Sequence, residues 1–560
     1  MTDSNKLSCT PTWWKEQIIY QIYPRSFKDS TGSGVGDLKG VIDKLDYIKS
    51  LGVNSVWLNP IYASPNDDNG YDISDYRAIM PEFGTMDDFD EFIKGLHERG
   101  MKFVMDLVVN HSSDEHEWFK QSRSSRDNPY RDYYHWWPAE KGKPPYRWSF
   151  FDEKGEAWKY DEQTDAYYLH YFSTKQPDLN WENPKVRQEV YDIMKFWLAK
   201  GVDGFRLDAF QFVSKDLSFP EFPVGYEKDL VNVFKYHGMG PHIHEYLREM
   251  NTEVLSKYDT FAVSEGCGSG VEDAHLLVDE DRKELQMVYH FEIADLGRDV
   301  NNRHTLADFK RIHSHWDKSF EKKGWNSIFL ANHDCPRMVS RYGDDRPEYR
   351  EASAKLLNTF LLSMRGTSYC YFGDELGMTN SPFKSIEEYK DIAAINGYKK
   401  AQGEGQDMDV YMANLAEFSR DHSRTPMHWD GSENAGFSSE TPWIPVHENK
   451  ASINVKTQES DPTSVLNHFR KMTALRNENK TLVYGEYTEL VPEHTQLYVY
   501  TREWEGQSML VLLNFSDTTA SFELPSNFVS AQVAINNYDS MQTEGANVNL
   551  QAYQAIILQA

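Results

Sequence analysis

The sequence predicts an α/β chain built on a (β/α)8 (TIM) barrel, with an inserted domain B after the third strand and a C-terminal antiparallel β-sandwich. Three observations carry this prediction. Short apolar, β-branched or aromatic runs alternate eight times with loops and helical patterns through the first two-thirds of the 560 residues, the rhythm of a parallel barrel. The third and fourth runs are separated by a long stretch rich in Trp, Tyr, Pro and Asp, and a loop of that length is normally functional or a small domain. Beyond residue 483 the pattern changes to short alternating runs such as QLYVYTREW and SMLVLLNFS, which read as antiparallel strands.

In order, the strand-like runs are 18–27, 55–62, 102–111, 204–210, 260–266, 287–292, 327–334 and 368–375, with helical patterns at 37–51, 86–99 and 184–200. The expected division is 1–111 for the first part of the barrel, 112–180 for domain B, 181–482 for the second part and 483–560 for the sandwich. A second insertion follows the eighth strand at about 377–434. A doubly wound sheet is the competing topology, but it would bring a Gly-rich switch-point motif, and GSGVG at 32–36 does not complete one.

Composition narrows the partners. Lys and Arg total 59 against 87 Asp and Glu, a net charge of −28; such a surface repels nucleic acid and anionic lipid. Aromatic residues are 14% of the chain. Rings suit flat sugar faces, but they also fill large cores. Met1 to Trp14 carries no basic-then-apolar leader, and the four cysteines (Cys9, Cys267, Cys335, Cys370) are too scattered for a disulfide framework. A cytoplasmic location is the expectation.

In a βα barrel the loops after the strands converge over one mouth. The third run ends at Asp106, Asn110 and His111; the fourth carries Arg206 and Asp208; the fifth ends at Glu265; the seventh ends at Asn332, His333 and Asp334. One strand-end carboxylate reads most simply as half of a buried salt bridge. Polar clusters at four ends of one barrel point instead to a site. Two carboxyls facing one glycosidic bond divide the work, one attacking the anomeric carbon and the other protonating the departing oxygen. Arg206 lies two residues before Asp208, on the same strand face, and is placed to keep it ionised. Glu265 has no such neighbour in sequence and is expected to hold its proton. Asp334, with His333 and His111, is placed to grip ring hydroxyls and favour distortion of the sugar.

These strand ends, with GVNSVWLNPIYASP at 52–65, NGYDISDY at 69–76, QPDLN at 176–180 and RTPMHWD at 424–430, resemble the α-amylase superfamily of glycoside hydrolases (family 13), nearest to its oligo-1,6-glucosidase and α-glucosidase branch. The resemblance spans nearly the whole chain. It implies Asp208 as nucleophile, Glu265 as acid/base and Asp334 as transition-state stabiliser, with His111, Arg206 and His333 around the −1 sugar. Asp72 and Arg424 resemble the pair that holds the terminal hydroxyls and makes an exo-acting pocket, while Tyr71, Phe172 and Gln176 resemble its wall. The family implies a small saccharide as partner and no catalytic cofactor. After the nucleophile stands Ala209; in this branch Val there accompanies α-1,6 preference and Ala or Thr α-1,4, so the residue leans the expectation to α-1,4 substrates.

The loop at 29–37 resembles the branch's calcium loop, with Asp29, Thr31, Ser33, Val35 and Asp37 at ligand positions. Thr31 and Ser33 replace an Asn and an Asp, which leaves little charge for a hard cation and disfavours a structural Ca2+. Three functions compete with α-1,4 hydrolysis. An isomaltase-like oligo-1,6-glucosidase differs at the residue after the nucleophile. The second is a sucrose isomerase or sucrose hydrolase, and the isomerases carry RLDRD where this chain has Asp295-Leu-Gly-Arg298-Asp299. A non-catalytic transporter subunit would need an anchor and would lack triad carboxylates. The oligomeric state is not legible.

Overall fold

The barrel strands are β1 (Ile18–Ile22), β2 (Ser55–Leu58), β3 (Lys102–Val108), β4 (Gly204–Asp208), β5 (Phe261–Glu265), β6 (Met287–Tyr289), β7 (Ser327–Ile328) and β8 (Thr367–Tyr371). This computed structural model describes residues 10–560; Cys9 and most of the Met1–Trp14 segment lie outside the described residues. Successive strands pair in parallel, β8 returns to β1 through Ile18–Ser368 to Gln21–Tyr371, and β6 meets β7 at a parallel bridge between Val288 and Asn326. The ring is thereby closed. Strands β1, β2, β4, β5 and β8 are buried at every position, as expected of a parallel sheet covered on its outer face and packed within.

Each strand starts within a residue of its predicted run but stops earlier, because the polar residues at the run ends have left the ladder. After β1 the chain turns into a short helix with Pro24 at its first position, a place where the missing N–H costs nothing. The helices Met86–Glu98 and Pro184–Ala199 are capped by Thr85, in a reciprocal box with Asp88, and by Asn183. The pattern expected as one helix over 37–51 is two, Leu38–Ile42 and Leu45–Ser50. Between them stands Lys44, whose ammonium lies 4.3 Å from the Trp429 ring centre.

The chain between β3 and β4 forms a three-stranded antiparallel sheet from Trp136–Pro138, Trp158–Asp161 and Ala166–Leu169. Its aromatic residues are mostly its own core: Phe119, Trp136 and Tyr168 pack together, with the Arg131 guanidinium 3.6 Å from the Trp136 ring centre. A buried ion pair, Lys215 to Asp178 at 3.0 Å, ties this insertion to the barrel. After β8 the helices Ile392–Gly403 and Met408–Phe418 lean over the same mouth: Asn396 Nδ2 donates to the Phe151 carbonyl at 2.9 Å and Lys399 pairs with Glu153.

The C-terminal unit is a five-stranded antiparallel sheet facing a three-stranded one. Along its strands Leu497, Val499, Leu510, Leu512, Ile556 and Leu558 face the small sheet. Their alternates Tyr498, Tyr500, Met509, Val511 and Leu513 join the barrel core. Strict alternation sends one set each way. Among the described residues, no helix is long and apolar enough to cross a membrane.

Candidate active site

A single guanidinium organises the barrel mouth. Arg206 is completely buried; its Nη1 reaches Asp106 Oδ1 at 2.9 Å and Asp208 Oδ1 at 2.5 Å, and its Nη2 pairs with Glu265 Oε1. The two-residue spacing on β4 puts Arg206 and Asp208 on one face, while β3 and β5 bring Asp106 and Glu265 to either side. Directly after Asp208, Ala209 adopts a left-handed backbone (φ 47°, ψ 24°) and donates its N–H to Glu265 Oε2 at 3.0 Å. A non-glycine residue there carries strain of about 1–2 kcal/mol, retained where it aims an amide at the second carboxyl. Gly266, just after Glu265, has φ +77°, and a Cβ on it would stand 2.4 Å from the Gln211 side chain.

Above this hub lies a cavity of about 210 Å³. Of the expected residues, Asp208, Glu265 and Asp334 line it, as do Tyr71, His111, Phe172, Ala209 and His333. Arg206 and Gln176 sit behind the wall and act through others: Gln176 Nε2 donates to Asp68 Oδ2 at 3.1 Å. His333 lies parallel to Tyr71, ring centres 5.2 Å apart. Gln21 contacts its Nδ1 at 2.9 Å, and its Nε2 faces Tyr71 Oη at 2.7 Å and Asp334 Oδ2 at 3.1 Å. Donation by Gln21 leaves the ring proton on Nε2, directed at those oxygens.

Burial dominates the proton affinities. Asp208 is pushed up to about 7 and Glu265 up to about 8, both by loss of water against the pull of Arg206, with repulsion from Asp106 and Asp334 adding to the rise at Asp208 and from Asp208 and Asp334 at Glu265. Asp106 is raised to about 6 on the same grounds. One cation serves three carboxyls, so the group retains a proton near neutrality, and Glu265 is the last to release it. Glu265 therefore holds its proton for a different reason from the one expected: Arg206 does contact it, and burial beside two further carboxylates outweighs that contact. Asp334 goes the other way, well below the usual carboxylate range: burial opposes ionisation, but His333, Arg420 and Arg424 outweigh it. His333 is itself held neutral by burial, so the charge that stabilises Asp334 is that of the arginines, Arg420 and Arg424 before Arg206. His111, lowered to about 4 by burial, is likewise neutral.

Neither member of the expected terminal-hydroxyl pair reaches the cavity wall. Asp72 is fully buried and lies outside the cavity wall; its carboxylate accepts from the backbone N–H groups of Asp67 and Asp68 and from Ser64 Oγ, closing its own loop. Arg424 is also behind the wall, donating to the His333 carbonyl and to Asp334 at 3.1 Å. From the same two loops it is Asp68 and Arg420 that face the cavity, 3.7 Å apart, with Arg420 also 2.9 Å from Asp334 and its guanidinium 4.9 Å from the Phe151 ring centre. NDDNGYD holds three aspartates and SRDHSR two arginines four apart; nothing local distinguishes the member that caps a turn from the one that projects. The opposite wall, also missed, is apolar: Phe212, Phe234 and Phe291, the last two stacked at 5.2 Å, beside the Asp295–Arg298 pair.

In the loop at 29–37 the carboxylates already have partners. Asp29 accepts from the N–H groups of Thr31, Gly32 and Gly34 and from Ser438 Oγ. Asp37 accepts from Ser30 and from Gly40 N–H, capping the helix Leu38–Ile42. Ser33 Oγ turns onto the Val35 carbonyl. Donors occupy the lone pairs that a cation would need, so the set does not fit Ca2+. No cluster of three or more His, Cys, Asp or Glu suited to a metal occurs among the described residues. Cys267 and Cys335 are buried, burial raises both thiols, and neither lines the catalytic cavity.

The α-amylase catalytic domain family matches residues 21–485, and the C-terminal domain of the α-amylase SusG matches 497–557. The chain is 52% identical over 541 residues to an oligo-1,6-glucosidase of Parageobacillus thermoglucosidasius, covering 95% of this chain and 96% of the relative. It is 48% identical to an oligo-1,6-glucosidase of Bacillus cereus, covering 97% and 99%. Among solved structures it is similar to the trehalulose synthase MutB from Pseudomonas mesoacidophila MX-45, with 44% identity, TM-score 0.94 and coverage of 98% and 100%. Given the barrel, the carboxylate hub and these likenesses, the chain belongs to the α-amylase family of glycoside hydrolases, family 13, in its oligo-1,6-glucosidase and α-glucosidase branch.

Proposed function

We propose that this enzyme removes the non-reducing terminal α-glucosyl unit from short α-1,6-linked saccharides by a retaining double displacement, with α-1,4 substrates turned over as well. The observation that carries the mechanism is the one guanidinium ion-paired with both Asp208 and Glu265 beneath the cavity. Carboxyls held by neighbouring nitrogens of one group fit the close spacing of retaining enzymes, about 5–5.5 Å, better than the wider gap of about 6.5–9.5 Å that admits a water. Asp208 attacks the anomeric carbon through Oδ2, the oxygen not held by Arg206, as the glycosidic C–O bond breaks. Glu265 gives its proton to the departing oxygen. Glu265, now ionised, then takes a proton from water, whose oxygen attacks the same carbon and releases Asp208. Asp334 and His333 hold ring hydroxyls of the distorted sugar, and Asp68 with Arg420 holds its far end.

The linkage reading departs from the α-1,4 expectation. Several relatives at 45–52% identity are named oligo-1,6-glucosidases, and this supports α-1,6. Ala209 lines the cavity with one methyl, which supports tolerance of α-1,4; such steric differences are worth about 1–3 kcal/mol. The apolar leaving-group wall favours a second sugar over water and supports transglucosylation at high saccharide concentration. It also supports a second reading, sucrose isomerisation, in which the leaving sugar is retained between Phe234, Phe291 and Arg298. A kcat/KM panel over maltose, isomaltose, nigerose, trehalose and sucrose, with product identification, tests all three. Isomaltose is expected to lead; trehalulose or isomaltulose as the main sucrose product would replace hydrolysis by isomerisation.

A further inference from the structure

We propose that Tyr289 is a positioning residue for the reaction: its hydroxyl links Arg206 to Glu265 and sets how readily Glu265 yields its proton. The inference rests on the acid/base reading of Glu265.

Tyr289 ends β6, in register with Glu265 on β5. Its side chain is 3% exposed, set edge-on to Phe329 with ring centres 5.3 Å apart, and lies outside the cavity wall. Two hydrogen bonds fix the direction of its hydroxyl. Arg206 Nε donates to the phenol oxygen at 2.8 Å, and the phenol donates onward to Glu265 Oε1 at 3.3 Å. An arginine has no lone pair to offer, so the phenol proton cannot point back. Burial, reinforced by Glu265 and Asp106 against the pull of Arg206, pushes the phenol's own ionisation well above its usual range. Tyr289 therefore remains a donor toward Glu265 at every working pH.

A donor to a carboxylate favours its ionised form. The groups facing Glu265 are Arg206, Asp208 and the Ala209 N–H from β4 and its end, Asp334 from beyond β7, and Tyr289 from β6. Asp106, Tyr71 and His333 stand one contact further away, around Arg206 and Asp334. Among the described side chains facing Glu265, Tyr289 alone carries no charge, so removing its hydroxyl alters the acid without removing an ion. Glu265 must hold a proton for the first displacement and be free of it for the second. A phenol donor shifts that balance toward the second step.

The test is the pH profile of the intact enzyme with an unactivated disaccharide. Tyr289→Phe is expected to move the alkaline limb of kcat/KM upward by about one pH unit, with activity at the optimum within about tenfold. With an activated aryl glucoside, whose leaving group needs no proton, the variant is expected to show a larger burst as the glucosyl-enzyme accumulates. Replacing Tyr289 with 3-fluorotyrosine, a stronger donor of the same shape, is expected to move the limb downward, and this arm decides the matter if the Phe variant folds poorly. An unmoved limb in both variants overturns the proposal, as does a uniform loss of activity at all pH values. Glu265→Gln separates this from failure of the underlying reading: if that variant keeps the alkaline limb, Glu265 is not the acid, whatever Tyr289 does.

Discussion

At the scale of single residues, the site is one buried cation shared among carboxyls that cannot all be ionised cheaply. Asp208→Asn leaves the cavity shape intact but removes the proposed nucleophile, so kcat is expected to fall by at least about a thousandfold while substrate affinity is largely kept; near-normal turnover would refute the assignment. Glu265→Gln is expected to spare the first step on activated aryl glucosides and to abolish turnover of isomaltose, read by single-turnover kinetics. The pH dependence follows from the direction of the shifts. In the proposed mechanism turnover needs Asp208 ionised, and burial raises its pKa to about 7, so activity is expected to fall below neutrality. The same mechanism needs Glu265 protonated, and burial raises its pKa to about 8, so activity is expected to fall again in mild alkali. A bell-shaped kcat/KM profile peaking near neutral pH is the expected outcome.

At the scale of elements, two turns present side chains to the cavity, Asp68 from one and Ala209 from the other. In the loop before Tyr71, Asp68 faces the cavity while Asp72 binds backbone N–H groups. Asp68→Ala is therefore expected to lower kcat/KM by roughly 10–150-fold, the worth of about 1.5–3 kcal/mol for a charged hydrogen bond, with the melting temperature little changed. Asp72→Ala is expected to act mainly on stability, and calorimetry beside a KM measurement distinguishes the two. In the turn after β4, Ala209 holds a left-handed conformation that a β-branched residue adopts poorly. Ala209→Val is expected to destabilise the enzyme by about 1–2 kcal/mol and to narrow the mouth, moving the maltose-to-isomaltose ratio toward isomaltose. An unchanged ratio would remove Ala209 from the linkage argument. The eight strands were legible because fully buried parallel strands are continuous apolar runs. The exact positions of their ends were not, since the polar residues that follow belong to loops whose course depends on the partners they meet. The break at Lys44 is of the same kind.

At the scale of the whole molecule, the C-terminal sheets are joined to the barrel by charge as well as by apolar contact. Asp317, at the end of a barrel helix, pairs with Arg365 at 2.9 Å and with Arg502 of the sandwich at 3.1 Å, all three buried. Lys310 on the same helix donates to the carbonyls of Val491 and His494. Asp317→Ala strands two buried guanidiniums, and breaking such a network costs about 3–5 kcal/mol. Denaturant unfolding is expected to shift accordingly, with separate transitions for the two units; a single unshifted transition would count against this coupling.

The sequence by itself determined the barrel, its order of parts and the carboxylates that meet at its mouth, because strand burial and two-residue alternation are local, periodic properties of the chain. It also placed Arg206 beside Asp208, since that relation spans only two residues of one strand. Only the tertiary structure decided that Arg206 also reaches Glu265, that Tyr289 bridges them, and that Asp68 and Arg420 rather than Asp72 and Arg424 face the cavity. Those relations join residues from different strands and loops, and which side chain of a polar cluster projects or caps is settled by the donors it meets after the chain has closed.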